Sequence, residues 1–77
     1  MQLTHDDRLT IYITLDAEVN KLHRALTKAQ KEERATNYAT PVATRELLAV
    51  RERQAKAAYR AAAEVAAQYF DTYLMND

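Results

Sequence analysis

The chain is interrupted once. In 77 residues it holds one proline, Pro41, and no glycine. The break, Ala35-Thr36-Asn37-Tyr38-Ala39-Thr40-Pro41, separates two long segments, from about Thr4 to Arg34 and from about Thr40 to Leu74. Without glycine, the left-handed residues of tight type I′ hairpins and the close-approach loops that cradle phosphates lack their usual supplier. That argues against an all-β fold and against a phosphate-binding loop.

Within each segment the apolar spacing is helical. Tyr12, Leu15, Val19, Leu22, Leu26 and Ala29 recur every three or four residues, a heptad stripe along one face. The second segment answers with Leu48, Ala55, Tyr59, Ala62, Ala66, Tyr69 and Tyr73, widened by Ala58 and Val65. Of fifteen alanines, eight cluster from Ala55 to Ala67 and favour helix. Start signals precede both stripes. Thr4 can cap the first helix, Asp6 and Asp7 face its positive dipole end, and Leu3 sits at the staple position. Thr40 before Pro41 reads as cap and first turn.

Leu9-Thr10-Ile11-Tyr12-Ile13-Thr14-Leu15 competes with this reading, because it alternates with period two and is rich in β-branched and aromatic residues. The cap ahead of it and the heptad through it favour helix. The expected fold is therefore all-α: an antiparallel helical hairpin forming one domain over 1–77, with a helix over about 4–34, a turn over 35–40 and a helix over about 41–75. Folding about Tyr38 sets Leu15 near Ala62, Val19 near Ala58 and Leu22 near Ala55, large against small.

Such a hairpin buries little alone, and the chain has no cysteine for a disulfide or a thiolate zinc site. Leu9 and Ile13 lie off the first stripe, and Ala63, Ala67, Phe70 and Leu74 beside or off the second. This surplus gathers where the two termini meet. It predicts a homo-oligomer, most simply two hairpins in a four-helix bundle. Leu9, Ile13, Phe70, Tyr73 and Leu74 are the candidate partner or self-association surface. Tyr12, Tyr59 and Tyr69 are assigned to the core, and Tyr38 either packs over the helix ends or marks a contact tip.

Charge sums to zero but is segregated. Residues 1–20 and 61–77 each carry −3, whereas residues 21–60 hold ten Lys or Arg against four Glu. Lys21, Arg24, Lys28 and Lys31 share one outward stripe, joined in that half by Arg45, Arg53, Lys56 and Arg60. The stripe reads as a solvated face; the alternative is contact with phosphates or an acidic partner. Arg51 falls near the apolar stripe, where it must snorkel or find a carboxylate across an interface.

No catalytic constellation emerges. His5 and His23 have no His or Glu at helical metal-site spacing, the adjacent Glu32 and Glu33 diverge around the helix, and serine is absent. No enzyme, cofactor or metal site is expected. No run reaches the roughly 18 apolar residues of a membrane span. The start, Met1 to Asp7, lacks a signal peptide's basic and apolar regions. With no cysteine, a cytoplasmic location is expected.

The run Arg8 to Val19 also resembles the strand and first-helix start of ribbon–helix–helix DNA-binding proteins. The resemblance implies a dimer whose strands enter the major groove, with Arg8, Thr10, Tyr12 and Thr14 facing DNA and Asp16 capping the first helix. It covers about 15 residues. The usual inter-helix glycine is missing, and the segments exceed that family's short helices. The leading functional expectation is a non-enzymatic protein–protein interaction module. Its compactness and lack of a chemical site would suit a phage or mobile-element accessory protein, such as an inhibitor or adaptor. The alternatives are the ribbon–helix–helix regulator and an RNA-binding four-helix bundle using Lys21 to Lys31.

Overall fold

A computed structural model of the chain describes residues 3–75. Helix α1 spans His5–Arg34 and helix α2 spans Val42–Tyr69, continued by a π-helical turn over Phe70–Leu74. The helices pack against each other as a hairpin, a rod of 59 × 19 × 14 Å.

α1 begins where its cap puts it. The Thr4 hydroxyl accepts from the Asp7 amide at 3.1 Å, and the Asp7 carboxylate accepts from the Thr4 amide at 3.3 Å. This reciprocal capping box satisfies two donors left open at a helix start. The residue that a staple at Leu3 would meet is Arg8, not an apolar side chain. The alternating stretch 9–15 is helical throughout, and no strand occurs among the described residues. Its threonines are accommodated by back-bonding: Thr10 donates to the Asp6 carbonyl and Thr14 to the Thr10 carbonyl, both at 3.0 Å. The extended segment that the ribbon–helix–helix reading required is therefore not formed.

The turn differs from expectation at its far end. Thr40 does not cap α2; Pro41 holds the cap position, with no side-chain hydrogen bond. The Thr40 hydroxyl instead accepts from the Asn37 amide at 3.1 Å, and the Thr40 amide donates to the Asn37 carbonyl at 3.0 Å. Asn37 Oδ1 takes the Ala39 amide at 2.8 Å, an Asx turn. No described residue has positive φ, so the reversal is made without the conformation glycine would favour. Tyr38 is 97% exposed: it is a tip, not a lid over the helix ends.

The seam on α1 follows the heptad and runs past it, with Arg8, Tyr12, Leu15, Val19, Leu22, Ala29 and Glu33 half-buried and Leu26 buried. On α2 the matching row is Leu48, Glu52, Ala55, Tyr59, Ala62, Ala66 and Tyr69. Three sequence assignments need correction. Arg51 is exposed, and the charged residue at the seam is its neighbour Glu52. Ala58 and Val65 are exposed and do not widen the stripe. Tyr73 is 46% exposed, and the half-buried residue at that end is Leu74. The π turn is the cause. The Met75 amide bonds the Phe70 carbonyl at 2.8 Å, five residues back, so the row steps five residues from Tyr69 to Leu74.

The pairing register also differs. The Tyr12 and Phe70 rings lie 5.4 Å apart and the His23 and Tyr59 rings 5.3 Å apart. Folding about Tyr38 would have set Tyr12 opposite Val65. The α2 partner is thus displaced by more than one turn toward the C-terminus, and Val42 to Leu47 are all exposed. The seven-residue turn is not symmetric about its midpoint. Large still faces small: at this offset Leu26 lies within one residue of the level of Ala55, and Leu15 within one of Ala66.

Truncating the seam should cost more than truncating the surface. Leu26→Ala is expected to destabilise the fold by about 2–3 kcal/mol in denaturant unfolding, and Ile13→Ala, 65% exposed in the wild type, by less than about 0.5 kcal/mol.

Candidate functional site: the terminal end and the charged faces

The five candidate contact residues come from opposite ends of the chain, and the hairpin brings them to one end of the rod. The Tyr12–Phe70 ring pair, at 5.4 Å and 53°, ties the start of α1 to the π turn. Beside it, Arg8 Nη1 donates to the Tyr73 carbonyl at 3.4 Å. Leu9 and Ile13 are four apart and share a face of α1. Ile13 is 65%, Tyr73 46%, Phe70 40% and Leu9 37% exposed. Leu74 is half-buried, so four of the five sequence candidates present a side chain outward.

The π turn shapes this end. The Tyr69 and Tyr73 rings lie 4.8 Å apart at 39°, with Tyr73 46% exposed. The Tyr69 hydroxyl is shielded from solvent and makes no hydrogen bond among the described residues. Leaving such a group unpaired costs about 1–3 kcal/mol.

The basic stripe is where the spacing put it: Lys21, Arg24, Lys28 and Lys31 are all exposed on α1. Arg45, Arg53, Lys56 and Arg60 are exposed on α2. His23 is exposed and packs its ring on Tyr59.

No cluster of side chains able to hold a metal ion, and no pocket, is found among the described residues. Nor is any described helix long and apolar enough to cross a membrane. What the surface offers chemically is an apolar aromatic end and a cationic half.

A further set of exposed apolar side chains is spread along α2 and does not cluster in the sequence. Leu47, Val50 and Val65 on α2 are 50%, 37% and 52% exposed, far from the termini or off the seam.

Removing the unpaired hydroxyl tests the end's packing. Tyr69→Phe should leave stability unchanged or raise it by about 1 kcal/mol; a loss of that size in thermal unfolding would show that the hydroxyl has a partner. Comparison of the chain with protein families, with curated proteins and with solved structures finds no match.

Proposed function

We propose that the chain is a non-enzymatic helical interaction module: two copies pair to complete a four-helix bundle, and the terminal end of each rod docks a protein partner. The observation that carries this reading is the area left open. Among the described residues only Leu26 and Ala66 are buried. The accessible surface is 6073 Å² for an 8.8 kDa chain, whereas a compact monomer of that mass exposes about 4,800 Å². The excess is about 1,300 Å², more than the roughly 800 Å² that each partner contributes to a standard interface. Pairing of hairpins is the simplest way for a short chain without cysteine to bury it.

Partner docking rests on Leu9, Ile13, Phe70 and Tyr73, with Leu74 beneath them. An aromatic cluster at one end of a rod fits the hot-spot chemistry of protein contacts. The cationic stripe Lys21, Arg24, Lys28 and Lys31 is a solvated face in this reading.

Sedimentation equilibrium of the purified chain is expected to give twice the chain mass at micromolar concentration. A folded monomer there would reject the reading. Phe70→Glu combined with Ile13→Glu is expected to abolish capture of whichever protein co-purifies with the wild type.

A further inference from the structure

α2 carries a second stripe that α1 does not touch. At about 100° per residue, Ala43, Leu47, Val50, Gln54, Ala61 and Val65 fall within about 60° of arc, roughly 120° around the helix from the seam. All six are exposed. Eight charged residues lie between Ala43 and Gln68, and none points into this arc. A solvated helix face in a chain with 29% charged residues would carry some of them. The spacing of four, three and four from Ala43 to Gln54 is itself that of a packing seam.

We propose that this stripe is the face on which two copies of the chain pair, α2 against α2, in antiparallel orientation. The proposal rests on the self-association reading above and goes further by naming the face and the direction. Three observations select a second copy. First, the stripe matches its own reverse: an inverted copy sets Leu47 against Val65 and Val50 against Ala61, large against smaller, with Gln54 near the two-fold axis. A two-fold contact requires this kind of self-match. Second, charge selects the direction. Residues 21–60 sum to +6 and residues 1–20 with 61–77 to −6. Antiparallel rods place the acidic half of each beside the basic half of the other, whereas parallel rods stack like on like. Third, the stripe runs most of the length of α2, about 33 Å at the helical rise, long enough to take up much of the excess surface. The terminal aromatic end stays open at both ends of the dimer.

The test uses the whole chain, which has no cysteine of its own. Val50→Glu with Ala61→Glu is expected to weaken the dimer at least tenfold, about 1.4 kcal/mol, and Ile13→Glu to leave it intact. Dimer affinity is also expected to fall as salt is raised. Because the glutamate variant could also lose its fold with its partner, cross-linking supplies a second measurement. Separate Ala43→Cys and Gln68→Cys chains, mixed and treated with a short bismaleimide, are expected to join to each other and not to themselves. Self-joining of either variant overturns the antiparallel direction. A wild-type-like dimer in the double glutamate variant overturns the face and leaves self-association standing. A monomeric wild type overturns both.

Discussion

Two helices in contact can each bury one row of side chains, and the rest of this structure depends on that limit. The centre of the row on α1 is aliphatic, from Leu15 to Leu26, and the row on α2 sets the alanines Ala55, Ala62 and Ala66 against it, a pairing of large with small that favours close approach. The closeness has a consequence. Small residues on α2 bring little apolar area of their own, and even central positions such as Val19 and Leu22 are only half-buried. Hydrophobic burial contributes about 25 cal/mol per Å², and ordering each residue costs about 1–2 kcal/mol in backbone entropy alone. A rod with Leu26 and Ala66 as its buried residues is poorly placed to meet that cost by itself.

Polar residues within the seam deepen the problem. Glu33 and Glu52 are half-buried in the rows that hold the hairpin together, and Arg8 occupies the row at the terminal end. Each lies near an end of the contact, where a long side chain can carry its charge to the edge. The π turn acts at the same end. It shifts the row by one residue, exchanges Tyr73 for Leu74 against α1, and turns an aromatic ring outward. The exposed aromatic end follows from a local change in helix period as much as from composition.

The hairpin was legible in the sequence because its signals agree across levels. The heptad from Tyr12 to Ala29, the cap at Thr4 and the single break all point to two helices. Stretch 9–15 was legible only through its neighbours, since its own composition favours a strand. The register was not legible, because it depends on hydrogen bonds among Asn37, Ala39 and Thr40 that make the turn asymmetric. The exchange of Arg51 for Glu52 at the seam is a one-residue error in phase across the gap between Leu48 and Ala55. At the candidate site, exposure of Leu9, Ile13, Phe70 and the lysine stripe followed from spacing, while Tyr73 and Leu74 turned on the π turn. The outer stripe of α2 was not legible as an apolar cluster, because its large side chains are widely spaced. Its signal is the absence of charge over many turns, with Leu47, Val50 and Val65 spread among alanine and glutamine.

The central claim is that the folded state depends on a second copy, and thermal unfolding over a concentration series tests it most directly. If the fold is completed by association, the midpoint rises steadily as the chain is concentrated from the low to the high micromolar range. A sharp cooperative transition at one temperature, independent of concentration, would show that a lone hairpin is stable and would contradict the account.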